Sequence, residues 1–293
     1  MNSTQHIREY FSKALRSGST LQIPGAFNAM VAMLIEQKGF DGVYCSGAVI
    51  SNSLGLPDIG LTTLTEVSLF TQQIIGRTNL PVIVDADTGF GDVMNTARTV
   101  KEFEKIGATA IHIEDQVNPK RCGHLDGKEL IPRQQMINKI RAAVNAKIDS
   151  NFLIIARTDA KSVEGIESAI ERAKAYIDAG ADAIFPEALH NEREMEIFRK
   201  AISVPLLSNM TEFGKTEILS LKQINNLGYN MVIYPVTMQR LAMKAVEDGL
   251  DSLKAYGSQH EVISVMQTRK RLYEVLEYDK YNDIDTSIFN FKL

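Results

Sequence analysis

The sequence has only two cysteines, Cys45 and Cys122, among its 293 residues. Two cysteines cannot build the several bridges of a secreted disulfide framework, so the composition favours a reducing compartment. Basic residues are not in excess either, because 32 Lys and Arg face 36 Asp and Glu and the net charge is −4. This balance gives no electrostatic footprint for nucleic acid, and binding of DNA or RNA is not expected.

Long apolar runs are also missing. No uninterrupted apolar stretch reaches the length that crosses a bilayer, and residues 1–16 mix charged with apolar residues where a signal peptide would have an apolar core. We therefore expect a cytoplasmic protein that does not associate with membranes. No Pro-rich or Ser-rich linker marks a second domain, so residues 1–293 are predicted to form one domain.

Short apolar runs alternate with longer amphipathic ones from residue 21 onward, the pattern of parallel strands joined by crossover helices. The predicted strands are 21–24, 42–45, 82–84, 110–113, 153–156, 183–185, 206–207 and 231–234. The predicted helices are 29–37, 64–76, 93–105, 133–146, 166–179, 192–201, 216–226 and 237–256. Eight such units, preceded by an N-terminal helix, predict an α/β fold with a closed (β/α)8 barrel of the TIM type; an open doubly wound sheet is the alternative.

A further helix is predicted at about 260–278, after the eighth unit and without a strand before it. Its apolar residues are Val262, Val265, Met266, Leu272 and Val275. They need cover either from a neighbouring subunit or from the barrel itself, and the sequence allows both.

The loop at 115–132 carries the sequence Lys-Arg-Cys-Gly-His at 120–124. Nearby positive charge lowers the pKa of a cysteine, so the two cations and His124 are expected to stabilise the Cys122 thiolate. Cys122 is then a candidate proton donor and acceptor. Glycines at 123 and 127 would let the segment close over a ligand and open again. The alternative is a surface loop with an ordinary thiol.

A barrel carries its active site where the carboxyl ends of the strands meet. Asp85 and Asp87 follow the third strand two residues apart, which on an extended segment points both carboxylates the same way. Clustered carboxylates favour Mg²⁺, or Mn²⁺, over zinc. His112 and Glu114 on the next strand add a second layer of polar groups around that metal. A turn or a helix cap is the alternative reading of the two aspartates.

Cationic and amide side chains at other strand ends predict a small polycarboxylate substrate. Arg157 can clamp one carboxylate with two hydrogen bonds, and Asn209, Thr211 and the Ser46-Gly47 turn can donate to a second. Salt bridges of Arg157 within the barrel mouth and helix capping by Asn209 and Thr211 are the alternatives.

Several motifs together resemble the isocitrate lyase and phosphoenolpyruvate mutase superfamily, and within it the methylisocitrate lyases. The Lys-Arg-Cys-Gly-His loop is similar to the lyase signature. The other similar segments are 53–58 (SLGLPD), 85–91 (DADTGFG), 113–116 (IEDQ), 156–160 (ARTDA), 185–188 (FPEA) and 266–269 (MQTR). The long insertion of isocitrate lyases is missing, which favours the shorter methylisocitrate type.

The resemblance implies a homotetramer of barrels that exchange their eighth helix, and a Mg²⁺-dependent cleavage of the tricarboxylate 2-methylisocitrate into pyruvate and succinate, as in the methylcitrate cycle of propionate catabolism. Carried over by position, Asp85 and Asp87 would hold the metal, with Asp58, His112 and Glu114 around them. The residues that would contact substrate are Ser46, Gly47, Cys122, Gly123, Arg157, Glu187, Asn209, Met210, Thr211, Arg240 and Arg269. Ala48 and Met210 stand where the family has Gly and Ile, which changes the bulk expected near the substrate.

The expected mechanism is a retro-aldol cleavage. Tyr44 is the candidate base for the substrate hydroxyl, with a metal-bound water as the alternative, and Cys122 is the general acid that protonates the departing carbanion. Arg157, His124 and Asn209 would stabilise the charge on the succinate fragment. The alternative reading is a sister activity, either hydrolysis of oxaloacetate or cleavage of 2,3-dimethylmalate.

Overall fold

Eight short strands alternate with helices through residues 3–289, which are the residues that the computed structural model describes. In chain order they are β1 (Leu21–Pro24), β2 (Val43–Cys45), β3 (Val82–Asp85), β4 (Ala110–Glu114), β5 (Leu153–Thr158), β6 (Ala183–Pro186), β7 (Leu207–Asn209) and β8 (Met231–Tyr234). Parallel hydrogen bonding joins β2 through β6 in one run and β1, β8 and β7 in another. Single bridges between Gly25 and Tyr44 and between Ile184 and Leu206 connect the two runs. The ring is therefore closed, which confirms the predicted barrel and excludes the open sheet.

The α-helices surround this ring. They are α1 (Ser3–Ala14), α2 (Ala29–Gln37), α3 (Gly47–Ser53), α4 (Leu64–Ile75), α5 (Val93–Ile106), α6 (Arg133–Ala146), α7 (Lys161–Glu164), α8 (Ile166–Asp178), α9 (Glu192–Ala201), α10 (Leu221–Asn226), α11 (Thr237–Tyr256), α12 (Arg269–Val275) and α13 (Tyr278–Phe289). The sequence pattern did not predict α3 and α7, because helices of 7 and 4 residues are too short to show a period. The predicted 216–226 helix is too long, since α10 begins only at Leu221.

Alternation along each strand divides the side chains into an inner and an outer set. Ile83, Ala110 and Ile155 belong to the inner cluster, together with Phe11 from α1. The next inward positions on these strands are polar. In the register of the sheet, Asp85 pairs with His112 and Glu114 pairs with Arg157. The polar residues at these inward positions are Asp85, His112, Glu114 and Arg157, and all four are buried. Strand parity alone thus brings four chemically active side chains to the carboxyl end of the barrel.

The C-terminal region differs from the single helix predicted at 260–278. A 3-10 helix at His260–Val265 is separated from α12 by an extended Met266, and α13 follows. Val275 is fully buried and Arg271 donates a hydrogen bond to Gln37 of α2, so α12 packs on its own barrel. Val265 is 82% exposed, so the predicted apolar face is only partly covered within one chain.

Helix α11 leaves most of its apolar side chains in solvent. Of its 20 residues only Gln239 and Ser252 are buried. The exposed apolar residues along it are Leu241, Met243, Val246, Leu250, Leu253 and Tyr256. Such a continuous exposed face is typical of a helix that meets another chain. Within residues 3–289 no helix has both the length and the hydropathy to span a membrane.

Candidate active site

A cavity of about 210 Å³ opens at the carboxyl ends of the strands. The predicted site residues that line it are Tyr44, Ser46, Asp58, Asp85, Cys122, Gly123, His124, Arg157, Glu187, Asn209, Thr211 and Arg240. These residues come from strand ends and loops spread from β2 to α11. The structure therefore assembles in one cavity side chains that are up to 196 positions apart, counted from Tyr44 to Arg240.

Four predicted residues lie directly behind the cavity lining. The Gly47 backbone N–H donates to Asp85 Oδ2 at 3.0 Å, and His112 Nε2 lies 2.7 Å from the Tyr44 hydroxyl. Glu114 Oε2 pairs with Arg157 Nη1 at 3.0 Å. Asp87 Oδ1 lies 2.9 Å from Lys120 Nζ.

Met210 and Arg269 lie elsewhere in the chain's fold. Met210 is 2% exposed, belongs to the outer core, and accepts a hydrogen bond from the Leu219 N–H through its sulfur. Its bulk therefore does not enter the cavity, contrary to the prediction, whereas Ala48 does line it. Arg269 is exposed at the start of α12 and does not reach the cavity of its own chain.

The two aspartates converge, but not in the predicted way. Strand β3 ends at Asp85, and Asp87 has φ 46°, so the backbone turns into the left-handed region where an extended segment was expected. The Asp87 N–H donates to Asp85 Oδ1 at 3.0 Å. A Cβ on Gly47 would lie 2.9 Å from Asp85 Oδ2 and 3.1 Å from Asp87 Oδ1, so both carboxylates close on one glycine. Only a residue without a side chain fits there.

The charges around this pair fit a divalent cation. Burial raises the pKa of Asp87 to about 6 against the effect of Lys120, and it raises the pKa of Glu114 well above its usual value against the effect of Arg157. Burial also acts to raise the pKa of Asp85, but His112, Lys120 and Arg157 bring it down to about 2. Neither oxygen of Glu114 accepts a well-aligned hydrogen bond, although Oε2 forms the ion pair with Arg157. The nearby cations therefore do not fully offset the burial of Asp87 and Glu114, and a bound divalent cation would favour the ionised form of both carboxyl groups.

Within residues 3–289 no group of three or more His, Cys, Asp or Glu side chains forms a ready-made metal cage. Mg²⁺ does not need one, because it commonly takes one or two carboxylates and fills its remaining positions with water and substrate oxygens. Asp85 and Asp87 match that requirement, and the absence of thiolate and multiple imidazole ligands around them does not suit zinc.

The thiol of Cys122 is not activated by its neighbours in sequence, so the predicted lowering of its pKa is wrong. Burial raises the pKa of Cys122, and the carboxylates of Asp58 and Glu187 raise it further. The flanking cation Lys120 points away from the thiol and forms ion pairs with Asp58 and Asp87. Its positive charge therefore stabilises these two carboxylates and not the Cys122 thiolate. Cys122 is therefore a protonated thiol at neutral pH, which suits a proton donor.

His124 is held in one tautomer. The Lys215 N–H donates to His124 Nδ1 at 2.9 Å, so Nδ1 is an acceptor and the proton lies on Nε2. His124 Nε2 then faces Glu187 Oε1 at 3.0 Å. A Cβ on Gly214 would lie 2.6 Å from His124 Nδ1, so the loop after β7 can approach the ring only because residue 214 is glycine.

Arg157 is surrounded by carboxylates. Its Nε donates to Asp159 Oδ2 at 3.0 Å and its Nη2 to Asp159 Oδ1 at 3.2 Å, in addition to the contact with Glu114. Glu187 Oε2 lies 3.6 Å from Nη2. The salt bridges considered as an alternative are therefore present, and the guanidinium still lines the cavity with its position fixed. Arg240, in contrast, is bound to Glu212 at the rim.

Tyr44 is buried, and its environment opposes ionisation. Burial and the charge on Asp85 raise the pKa of the phenol well above 10.0. Its neighbour His112 has its pKa lowered to about 4 by burial. Neither group is poised to take a proton in the ligand-free protein.

Sequence reasoning missed some residues of the cavity. Asn52 lines it from α3, and Gln239 lines it from the first turn of α11, with Gln239 Nε2 donating to the Val49 carbonyl at 3.2 Å. Phe185 lies under Arg157, with the guanidinium carbon 5.2 Å from the ring centroid. The short helix that carries Asn52 gave no periodic signal, whereas Phe185 stood next to a recognised motif.

Comparison with known proteins gives the family. The family model described as phosphoenolpyruvate phosphomutase matches residues 11–254, most of the chain. The chain belongs to this family. The match covers the barrel from α1 through most of α11, so every cavity residue described above lies within it.

Two relatives are similar over nearly their whole length. A probable 2-methylisocitrate lyase of Corynebacterium glutamicum is 56% identical over 286 residues, which cover 97% of this chain and 94% of that protein. The 2-methylisocitrate lyase of Bacillus subtilis is 45% identical over 287 residues, covering 98% of this chain and 95% of that one.

Solved structures of more distant relatives share the fold. The crystal structure of 2,3-dimethylmalate lyase has a TM-score of 0.89 at 32% identity and covers 98% of this chain and 96% of that one. Phosphonopyruvate hydrolase, crystallised with oxalate and Mg²⁺, has a TM-score of 0.86 at 30% identity and covers 98% of this chain and 99% of its own.

Proposed function

We propose that this protein is a carbon–carbon lyase that cleaves 2-methylisocitrate into pyruvate and succinate with the help of Mg²⁺. The observation that carries the proposal is the placing of one protonated thiol, Cys122, in the same small cavity as the Asp85 carboxylate and the Arg157 guanidinium. The similarity to relatives named 2-methylisocitrate lyase over nearly the full chain supports the same substrate.

Asp85 and Asp87 are the residues that would hold the metal. When bound there, Mg²⁺ supplies Lewis acidity to the hydroxyl and adjacent carboxylate of the substrate. Lys120 pairs with Asp87 and Asp58 and so limits the repulsion between these acids.

Cleavage requires that the substrate hydroxyl lose its proton while the carbon–carbon bond breaks. The oxygen becomes the ketone of pyruvate, and the electron pair of the broken bond stays on the carbon next to a carboxylate of the succinate fragment. Cys122 gives its thiol proton to that carbon, and the base returns a proton to the thiolate to complete the cycle. A thiol with a raised pKa is protonated before the reaction begins, as this step needs.

Charge develops on the succinate fragment as the bond breaks. The Nε2–H of His124 and the amide of Asn209 lie next to one another, 3.4 Å apart, and both groups line the cavity. Arg157 adds a fixed positive charge beside them. Preorganised donors of this kind stabilise an anionic transition state without having to reorganise.

Tyr44 is our candidate for the base, by position. Its raised pKa means that it can take a proton only if positive charge at the metal site favours the ionised phenol. Tyr44→Phe tests this directly. We expect a loss of about 10²- to 10⁴-fold in kcat, the range for a general base, and an unchanged kcat would remove Tyr44 from the mechanism.

The remaining expectations from the sequence are parts of the same proposal. One domain covers residues 1–293, the enzyme works in the cytoplasm in propionate catabolism, and four chains form a tetramer that exchanges C-terminal helices. The exposed apolar face of α11 supports the exchange, because Leu241, Val246 and Leu250 are 64%, 50% and 59% exposed among the described residues 3–289. An exchange would also explain why Arg269 is far from the cavity of its own chain.

An assay with four substrates tests the proposal. Purified protein is given 2-methylisocitrate, isocitrate, 2,3-dimethylmalate or oxaloacetate, with Mg²⁺ or with EDTA, and pyruvate and the dicarboxylate products are quantified. We expect the largest kcat/KM with 2-methylisocitrate and no turnover with EDTA. A preference for 2,3-dimethylmalate, the substrate named for one solved relative, would favour the sister lyase instead.

A further inference from the structure

Lys128 is a buried lysine in the loop that carries Cys122, and it lies outside the cavity lining. Its side chain is 1% exposed, while Arg121, Asp126 and Glu129 in the same loop are exposed. An ammonium group withdrawn from water in this way must be paired, and its partners then fix the backbone around it.

Lys128 has one hydrogen-bond partner in its own loop and another at the end of β5. Its Nζ donates to the carbonyl of Gly123, next to Cys122, and to Asp159 Oδ1 at 2.8 Å. Asp159 follows β5 in the wall of the barrel, and its own N–H donates to Asp115 Oδ1 at 2.9 Å. Lys128 thus joins the loop that carries Cys122 to the end of β5.

Asp159 also holds Arg157. The oxygen that accepts from Lys128 accepts from Arg157 Nη2 at 3.2 Å, and the other oxygen accepts from Arg157 Nε at 3.0 Å. One fully buried carboxylate therefore accepts hydrogen bonds from both the loop lysine and the arginine that lines the cavity. A change at either cation is felt at the other.

Gly123 closes directly on the same arginine. A Cβ on Gly123 would lie 2.5 Å from Arg157 Nη2 and 2.5 Å from Glu187 Cγ, so the loop backbone packs against both side chains. The Cys122 thiol can occupy the cavity only while this contact holds.

We propose that Lys128 is a positioning residue that keeps the Cys122 loop closed and sets the thiol in register with Arg157 through Asp159. The inference rests on the proposed function for its catalytic consequence, because that function assigns the thiol and the arginine to the same succinate fragment. It predicts that loss of the ammonium leaves the fold intact and frees the loop.

Alkylation of the thiol measures loop closure without any turnover. The chain has two cysteines, and Cys45 is fully buried with its pKa raised to about 12, so iodoacetamide reports on Cys122. For Lys128→Met we expect the alkylation rate to rise by at least about tenfold, equivalent to about 1.4 kcal/mol of loop closure. We also expect kcat to fall by a larger factor than KM rises, because the thiol is displaced from the substrate while the other residues that line the cavity keep their positions.

Lys147 provides a matched control. Its Nζ also donates to one carbonyl, that of Phe152, and to one carboxylate, Asp182 Oδ2 at 3.0 Å, but it lies before β5 at the opposite end of the barrel. Lys147→Met should lower the thermal midpoint while leaving the alkylation rate and kcat unchanged. This variant separates loss of a lysine that holds one carbonyl and one carboxylate from loss of loop closure, although the Lys147–Asp182 pair is less buried, with side chains 13% and 30% exposed.

Each outcome decides the proposal. The proposal is overturned if folded Lys128→Met is alkylated at a rate within about twofold of the wild-type rate. Loss of a hydrogen bond that holds the loop closed should change the rate by about tenfold, which corresponds to about 1.4 kcal/mol. Lys128→Gln, which keeps a donor without the charge, carries the test if the Met variant does not fold. Failure of both to fold would assign Lys128 to stability instead and would also overturn the proposal. If the alkylation rate of Lys128→Met rises but the wild-type protein does not cleave 2-methylisocitrate, the proposed function is wrong and the role of Lys128 in loop closure is retained.

Discussion

Replacing Gly214 with alanine should disable the active site by a single methyl group. The added Cβ would lie 2.6 Å from His124 Nδ1 and 2.9 Å from the Thr211 methyl carbon, closer than side chains approach in folded proteins. His124 must then move away from the loop after β7. It loses the hydrogen bond from the Lys215 N–H, and its Nε2 leaves Glu187 Oε1.

The size of the effect follows from these two contacts. A neutral hydrogen bond contributes about 0.5–1.5 kcal/mol and one to a charged group about 1.5–3 kcal/mol, so about 2–4.5 kcal/mol of the energy that positions His124 is lost. If this loss is felt in the transition state, kcat/KM falls by about 30- to 2,000-fold.

The measurement is kcat/KM for cleavage of 2-methylisocitrate, with pyruvate formation followed over time. Gly249→Ala is the control, because a Cβ there meets no atom within 4 Å and alanine favours the helix. Gly249→Ala should therefore retain full activity. Activity of Gly214→Ala above half of the normal value, with His124 unmoved in a crystal structure, would refute the reasoning.

Three further predictions concern the thiols and the metal. Cys122→Ser should lower kcat by about 10²- to 10⁴-fold with little change in the free energy of unfolding. Cys45→Ser should lower the free energy of unfolding by about 1–3 kcal/mol with little change in kcat. Steady-state kinetics and urea unfolding of both variants test this contrast. The alkylation of Cys122 should have its pH midpoint above 9.0, because the raised pKa keeps the thiol protonated until higher pH, and a midpoint below 8 would contradict this. Mg²⁺ at about 100 times its Kd should raise unfolding free energy by about 2.7 kcal/mol, and Asp85→Asn should abolish the shift in calorimetry.

The barrel could be predicted from the sequence because buried parallel strands appear as short apolar runs. β1 and β8 have the predicted bounds. β4 and β5 extend further, through Glu114 and Thr158, because their last residues are polar and so continue the strand beyond the end of the apolar run. The boundaries were missed at the positions where the strands become part of the site.

The candidate site was predictable in composition and less so in geometry. The left-handed turn at Asp87 and the raised pKa of Cys122 both depend on neighbours that are distant in sequence. Lys120 is close to Cys122 along the chain, yet in space its charge goes to Asp58 and Asp87. The roles of the site residues, the single domain, the cytoplasmic location and the tetramer stay predictions.

The uncovered flank of α11 has a practical consequence. If companion subunits are what shelters Leu241, Val246 and Leu250, dilution will strip that shelter away, and specific activity should decline as the enzyme is assayed at ever lower concentration. Anyone seeking a monomeric variant would need to replace these side chains with polar ones before separating the chains, because otherwise the bared helix would adhere to other hydrophobic surfaces.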